Sequence, residues 1–263
     1  MRAQLPRRLR LPAALAGGFA VLLVAALVPA RAHAEDDALF ASRGPSYGPS
    51  GAVSTIDINL PTSTPPLLTV VDKRHALDRT AAPSDLVVLP ETYVVPGFGT
   101  QQLRAEAASA LRSMLDAAHA AGHDLRVRSS YRSYETQVDT YAYWVSTLGQ
   151  TEANRISAKP GHSEHQLGTT ADLTVPELDW QLSESLADTS AGRWLLVHAT
   201  SYGFALSYPP RTEAITGYAS EPWHYRYVGR STAEAWAKSG LTLGVYLAQL
   251  GGSRSLGQRS SLQ

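Results

Sequence analysis

The chain has 263 residues, no cysteine, and 23 basic against 23 acidic residues, so its formal net charge is zero. The absence of cysteine excludes disulfides, a thiol nucleophile and cysteine-type zinc sites. A chain of this length is long enough for one domain with an ordinary hydrophobic core.

The first 34 residues have the composition of a secretory signal peptide. Residues 1–10 carry four arginines and no acid, residues 11–30 carry no charge, and AHA at 32–34 matches a signal-peptidase site. The uncharged run is also long enough to span a bilayer, so an uncleaved membrane anchor is the alternative interpretation. Cleavage removes five arginines, which leaves 23 − 5 = 18 basic against 23 acidic residues and a net charge near −5. This balance argues against a nucleic-acid partner, and we expect a monomer that is secreted or located in the cell wall.

Three further regions follow from composition. Residues 35–66 are rich in Ser, Pro and Gly and are predicted to form a linker. The globular domain is expected at residues 67–250, and residues 251–263 are expected to form a flexible tail.

Apolar spacing predicts the elements of the domain. Residues at intervals of three and four predict a long helix over QQLRAEAASALRSMLDAAHAAGHDL, which Gly122 closes. The alternating segments LRVRSSY and WHYRYVG predict strands, and SYETQVDTYAYWVSTLG, SAGRWLLVHATSYG and STAEAWAKSG predict helices. Trp194, Leu195, Val197 and His198 of the third of these helical segments are expected to pack inside. The mixture predicts an α+β fold: a single domain with a small, mainly antiparallel sheet and helices packed on its outer side.

Two segments each place an imidazole near a carboxylate. GHSEHQLGTTADLT carries His165 and, seven positions later, Asp172, with Gly168 as a candidate turn between them. SEPWH carries Glu221 and His224. A catalytic zinc takes three N or O ligands and keeps one position for water, while a separate carboxylate takes the proton. If the two histidines and Asp172 are ligands, Glu221 remains as the base. The spacing alone leaves a second interpretation open, namely surface histidines near unrelated acids.

The pattern S-x-H-x6-D followed by E-P-W-H resembles the VanY-type D-alanyl-D-alanine carboxypeptidases, in a wider group that includes VanX dipeptidases and hedgehog amino-terminal domains. The resemblance runs from about residue 68 to residue 247 and includes VVDKRHAL, AAGHDLRVRSSYRSYETQ, YGFALSYP and GLTLGVYL in the expected order. It implies one Zn2+ per chain, held in a cleft by His165, Asp172 and His224, with Glu221 activating water.

The resemblance also implies roles for residues outside the metal ligands. Arg132 matches an arginine that faces the scissile carbonyl, and a permanently charged guanidinium can stabilise an oxyanion. Ser163 and Gln137 match substrate-binding residues, and Ser130 is a further candidate. A surface salt bridge is the alternative for Arg132, and local turn hydrogen bonds are the alternative for Ser163 and Gln137.

The wall of the pocket is less well defined by the sequence. Tyr208, Tyr218 and Trp223 are candidates for it, with core packing as the alternative. The chain departs from the pattern of the group at Ser220, where a larger residue is usual, and at Gly244, where an acid is common. These departures leave the specificity open.

The implied function is that of a secreted zinc-dependent D-alanyl-D-alanine carboxypeptidase, which removes the terminal D-alanine from peptidoglycan stem peptides or muropeptides. An L,D-carboxypeptidase, a D,D-dipeptidase or a peptidoglycan endopeptidase could use the same site. A non-catalytic, zinc-containing module that binds the cell wall is the alternative from another class. The presence of Glu221 and Arg132 favours an enzyme, because a binding module has little reason to keep a base.

Overall fold

The computed structural model describes residues 64–260, of which residues 252–260 are described by their backbone alone. The predicted signal peptide and all but the last three residues of the predicted linker lie outside this part of the chain. Among the described residues, we find no helix with the length and apolar character that crossing a bilayer requires.

The strands are short and pair in antiparallel fashion, as predicted, and they form two sheets. Strands β1 and β2 make a separate two-stranded ribbon, while the main sheet has the strand order β3-β4-β6-β5, with every neighbouring pair antiparallel. The strands are β1 (Leu86–Val88), β2 (Gln102–Arg104), β3 (Arg126–Ser129), β4 (Thr170–Thr174), β5 (Phe204–Leu206) and β6 (His224–Tyr227).

Helices occupy most of the intervening chain. They are α1 (Ala105–Ala120), α2 (Tyr134–Ile156), α3 (Ser190–His198), α4 (Glu213–Thr216), α5 (Arg230–Ser239) and α6 (Leu243–Ser260). Short 3-10 helices cover Glu91–Tyr93, Glu164–Leu167, Pro176–Leu178, Glu184–Asp188 and Ala199–Tyr202. Helix α2 is interrupted at Gly149, which has φ 80° and ψ 162°. Helix α6 extends past residue 250, where the sequence places the end of the domain.

The main sheet buries one face against the helices. Leu173 of β4 and Tyr225 of β6 belong to the same buried cluster as Leu111 and Leu115 of α1. Successive side chains of a strand point to opposite faces of the sheet. The residues of β4 and β6 that alternate with these therefore point to the opposite face of the sheet, where the candidate site lies. This arrangement confirms that helices pack on the outer side of a small sheet.

Helix α3 is more exposed than its sequence predicts. Leu195 is fully buried, but Val197 is 70% exposed. His198 is also exposed, and its ring stacks on that of Trp194 with 4.6 Å between centroids. The expectation that Val197 and His198 pack inside is wrong, because α3 contacts the core along one face only.

Candidate active site

Strand register brings Asp172 and His224 together. They are direct partners across the antiparallel pair β4–β6, and cross-strand partners have their side chains on the same face. On the other side of β4, the register with β3 shifts between Val127 and Ser129, so that Ser129 lies opposite Asp172. A bulge of this kind re-aims side chains beside a site.

A 3-10 turn delivers His165 to the same place. The hydroxyl of Ser163 accepts a hydrogen bond from the His165 N–H at 3.3 Å at the start of Glu164–Leu167. The turn ends at Gly168, whose φ of 68° is a left-handed conformation that favours glycine. Strand β4 follows at once, and Nε2 of His165 lies 3.2 Å from Oδ2 of Asp172. Gly168 therefore provides the turn that the sequence suggests.

One atom from each of His165, Asp172 and His224 lies within 4.8 Å of the others. All three residues are buried, and the two imidazole rings are nearly perpendicular, at 86°. Oδ1 of Asp172 lies 3.2 Å from Nδ1 of His224, yet this buried oxygen has no hydrogen-bond partner among the described residues. Two imidazole nitrogens that converge with such a carboxylate are the donor set that zinc takes in catalytic sites. The residues therefore fit a divalent metal ion.

Outer contacts determine which nitrogen of each histidine faces this position. Nδ1 of His165 lies 2.6 Å from the carbonyl oxygen of Ser130, which can only accept a hydrogen bond, so Nδ1 carries the proton. Nε2 of His224 lies 3.0 Å from Oε2 of Glu164 and donates to that carboxylate. His165 therefore offers Nε2 and His224 offers Nδ1 to a metal, and such contacts commonly fix the tautomer of ligand histidines.

Glu164 is a residue of the site that sequence reasoning missed. Burial raises the pKa of its carboxyl, but the guanidinium of Arg226 and the N–H of His224 outweigh burial and lower the pKa to about 2. Arg226 donates to Oε1 at 2.8 Å and Ser207 donates to Oε2 at 2.6 Å. A sequence signal existed for Arg226, because it follows His224 by two residues and so shares its face of β6.

Glu221 lies beside Nδ1 of His224, the nitrogen that is available to a metal. Its Oε2 is 3.2 Å from Nδ1 of His224. The backbone fixes this turn, because the N–H of His224 donates to the carbonyl of Glu221 at 3.0 Å and the N–H of Glu221 donates to the carbonyl of Tyr208 at 2.9 Å. A carboxylate is thus held beside the candidate metal position without belonging to the converging set.

The guanidinium of Arg132 faces the same site. Nη1 donates to Oε1 of Gln137 at 2.8 Å, and Nη2 donates to the hydroxyl of Ser129 at 3.1 Å. Burial lowers the pKa of Arg132, while the nearby carboxylates of Asp172 and Glu221 raise it. An arginine starts from so high a pKa that it remains charged.

The converging residues open into one cavity of about 510 Å³. Arg132, Ser163, Ser130 and Glu221 line it together with the three candidate ligands. Gln137 does not line it and lies behind Arg132, with 1% of its surface exposed. The candidate wall residues line the cavity as well; these are Tyr208, Tyr218 and Trp223.

The polar atoms of two predicted substrate-binding residues are engaged elsewhere. Nε2 of Gln137 donates to the carbonyl of Ala158 at 2.7 Å, while its Oε1 receives Arg132. The hydroxyl of Ser130 donates to Oε1 of Gln101 at 2.8 Å. These contacts favour positioning roles for Gln137 and Ser130 over direct contact with a substrate.

Comparisons with known proteins agree on one family. A family model described as VanY, D-alanyl-D-alanine carboxypeptidase, matches residues 100–230. YodJ of Bacillus subtilis (strain 168), a carboxypeptidase by name, is 38% identical over 185 residues, which cover 70% of this chain and 68% of YodJ.

Two solved structures extend the comparison. The structure of the LdcB LD-carboxypeptidase has 39% identity and a TM-score of 0.64, and the match covers 68% of this chain and 84% of LdcB. The zinc(II) complex of a mutant vancomycin-resistance D,D-pentapeptidase VanY has 28% identity and a TM-score of 0.54, with 69% and 98% covered. The segment matched by the family model contains the three converging residues as well as Glu221 and Arg132. The chain therefore belongs to the VanY D-alanyl-D-alanine carboxypeptidase family.

Proposed function

We propose that this protein is a zinc-dependent carboxypeptidase that removes the C-terminal D-alanine from peptidoglycan stem peptides ending in D-Ala-D-Ala. One observation carries the proposal: the carboxylate of Glu221 lies 3.2 Å from Nδ1 of His224, in the same cavity as Arg132 and the converging ligand set. The family match supports the D,D specificity, and the zinc(II) complex of VanY supports the choice of metal.

In this proposal, His165, Asp172 and His224 hold the ion. When bound, such an ion makes water nucleophilic at neutral pH and polarises a carbonyl. Glu221 accepts a proton as the water oxygen bonds to the carbonyl carbon of the peptide. Glu221 then returns that proton to the nitrogen of D-alanine as the C–N bond breaks. The carboxylate is thus regenerated for the next turnover.

Arg132 stabilises the negative charge that develops on the carbonyl oxygen. A guanidinium held in place before the reaction needs no reorganisation during it, and this is the main source of such stabilisation. Gln137 and Ser129 hold the guanidinium through one hydrogen bond each. Gln137 therefore acts through Arg132.

Ser163 is the better candidate for a direct contact with substrate. Its oxygen accepts from the backbone N–H of His165, which leaves the hydroxyl proton to donate to a substrate oxygen. Ser130 contributes through its carbonyl, which orients His165 at 2.6 Å. Both residues line the cavity.

An L,D-carboxypeptidase is the second candidate. It is favoured by the greater similarity to LdcB, at 39% identity and a TM-score of 0.64, than to the D,D-pentapeptidase VanY, at 28% and 0.54. This activity uses the same metal, base and arginine. It differs in removing D-alanine from a tetrapeptide, in which the preceding residue has an L centre at the bond that is cleaved.

The test offers both substrates to the zinc-loaded protein and measures the product masses. Loss of one alanine from the pentapeptide ending in D-Ala-D-Ala supports the D,D activity, and loss from the tetrapeptide alone supports the L,D activity. Glu221→Gln, checked to retain zinc, is the control and should leave both peptides intact. If neither peptide is cleaved although zinc is bound, free D-Ala-D-Ala and cross-linked peptidoglycan are offered next. The binding-module interpretation replaces the proposal if these also stay intact.

We also propose that residues 1–34 direct export, which places the domain on the same side of the membrane as peptidoglycan. The support is the composition of this segment: a basic start, an uncharged run and a small-residue exit. Amino-terminal sequencing of the protein recovered outside cells should begin at residue 35. Recovery of the intact amino terminus in the membrane fraction would favour the anchor instead.

A further inference from the structure

The side chain of Arg226 lies behind the candidate metal site, with 1% of its surface exposed. Nη1 donates to Oε1 of Glu164 at 2.8 Å. Nη2 donates to the carbonyls of Thr69 at 2.7 Å and Leu67 at 3.1 Å. A buried charge is costly unless it is paired and hydrogen-bonded. The carboxylate binds Nη1 and the two carbonyls bind Nη2, while Nε has no hydrogen-bond partner among the described residues.

Glu164 is held on both of its oxygens. Oε1 receives Arg226, while Oε2 receives the hydroxyl of Ser207 at 2.6 Å and Nε2 of His224 at 3.0 Å. The residue is 4% exposed. Charge-assisted hydrogen bonds are shorter and stronger than neutral ones. The carboxylate therefore has one orientation in which all these donors are satisfied.

We propose that Arg226 and Glu164 are positioning residues that link the opening segment of the domain, residues 67–69, to the candidate metal ligand His224. The carbonyls of the opening segment orient Arg226, Arg226 orients Glu164, and Glu164 fixes the His224 ring so that Nδ1 faces the metal position. The inference rests on the metal site of the proposed function. It adds that a segment 157 and 159 residues away from Arg226 in the sequence supports this site.

A different result is expected if the ion pair of Arg226 and Glu164 only stabilises the fold. Loss of the pair would then lower the free energy of unfolding but leave the metal affinity of the folded protein unchanged. By contrast, mutation of a residue that hydrogen-bonds a ligand histidine typically weakens metal affinity by about 10- to 100-fold. The affinity of folded protein for zinc therefore separates the two roles.

The experiment measures zinc affinity in the full chain by competition with a chelator. Glu164→Gln keeps the size of the side chain but removes its charge. Arg226→Lys keeps the charge, but one ammonium cannot reach the carboxylate and both carbonyls. We expect each variant to bind zinc about 10- to 100-fold more weakly. Glu234→Gln is the matched control, because it removes one carboxylate from an exposed pair with Arg230 and should leave the affinity unchanged.

A spectroscopic readout reports directly on His224. In the zinc-loaded protein, its Nε2–H donates to a carboxylate, so its proton resonance should be shifted downfield and exchange slowly with water. Glu164→Gln should move this resonance upfield and speed its exchange, while Glu234→Gln should not. If Glu164→Gln does not fold, Ser207→Ala removes one contact of Oε2 without stranding a charge, and it should weaken zinc binding severalfold.

The outcomes separate this inference from the proposed function. Wild-type affinity and an unchanged His224 resonance in the folded variants would overturn the positioning role and leave the metal site intact. A wild-type protein that binds no divalent ion would overturn the proposed function, and this inference with it.

Discussion

The carboxylate of Glu221 lies 3.2 Å from Nδ1 of His224, the nitrogen that the contact with Glu164 leaves available to a metal. The two residues are three positions apart and belong to one tight turn, in which the N–H of His224 donates to the carbonyl of Glu221 at 3.0 Å. The backbone of this turn therefore holds the candidate base next to the candidate metal ligand.

Replacing Glu221 should separate metal binding from catalysis. We expect Glu221→Gln to lower kcat by about 10²- to 10⁴-fold, the usual contribution of a positioned general base, because an amide cannot accept the proton. Zinc content should not change. Glu184→Gln is the control, since Glu184 lines the same cavity but is exposed. A Glu221→Gln enzyme with the wild-type kcat would show that another group takes the proton.

Arg132 and Gln137 should differ in how strongly they affect kcat. Arg132→Lys is expected to lower kcat by about 10²- to 10³-fold, because an ammonium cannot replace a guanidinium fixed at two points. Gln137→Ala loosens the guanidinium without removing its charge, so its loss in kcat should be smaller. Arg79→Lys, in an exposed pair with Glu135, is the control. An effect of Gln137→Ala on KM alone would point instead to direct contact with substrate.

Gly168 should be intolerant of a side chain for two separable reasons. Its φ is 68°, and a Cβ there would lie 3.0 Å from the side chains of Leu86 and Pro83. Gly240 has φ 69° and ends a helix in the same way, but a Cβ there would meet no described atom within 4 Å. Backbone strain of this kind costs about 1–3 kcal/mol. We expect Gly168→Ala to lower the free energy of unfolding by more than Gly240→Ala.

Urea unfolding of both variants gives this comparison. The excess loss at Gly168 measures the crowding, because the backbone conformation is shared. Equal losses would mean that the neighbouring side chains move aside without penalty.

Lys73 should make the free energy of unfolding depend on pH in the alkaline range. Its ammonium lies 3.6 Å from the centre of the Tyr218 ring. Burial, and then the charge of Lys159, lower the pKa of Lys73 to about 8, against the opposing carboxylates of Glu221 and Glu213. In the unfolded chain, the pKa of Lys73 is near 10.5, so between pH 8 and 10.5 the unfolded chain binds more protons at this residue than the folded chain does. The free energy of unfolding of the wild type, compared with that of Lys73→Met, should therefore rise with pH in this window.

The measurement is the free energy of unfolding of wild type and Lys73→Met from pH 7 to pH 10, with a chelator present so that metal binding does not contribute. Lys73 is exposed at the surface, which weakens the effect of burial on its pKa, so the slope should stay well below the limit of about 1.4 kcal/mol per pH unit for one proton. A difference between the two proteins that is constant or falls with pH would contradict the prediction.

Local patterns predicted much of the sheet and helix content. The alternation in WHYRYVG correctly predicts strand β6, in which Tyr225 and Tyr227 belong to the core. The long helical pattern begins too early in the prediction, because Gln102–Arg104 pairs with Leu86–Val88 as a strand. Strand pairing is a tertiary contact, and it overrides helical spacing at the end of a helix.

The candidate site was only partly accessible to sequence reasoning. Spacing identified His165 and His224 with nearby acids, but the register that joins β4 to β6 depends on tertiary structure, and only the family resemblance linked the two segments. Glu164 and Arg226 escaped notice because charged residues are mostly exposed. The spacing of Arg226 from His224 indicates the face of β6 that it shares, but the carbonyls of Leu67 and Thr69 that hold Arg226 come from a distant segment, which no local pattern reveals.

Metal restoration tests the proposed function most directly. The protein is stripped of metal with a chelator, zinc is returned in steps, and the release of D-alanine from the pentapeptide is measured at each step. We expect negligible release at first, a linear rise, and saturation at one zinc per chain, with no recovery in His165→Ala over the same range. Release by the stripped protein at the rate of the zinc-loaded protein would contradict a metal-dependent carboxypeptidase.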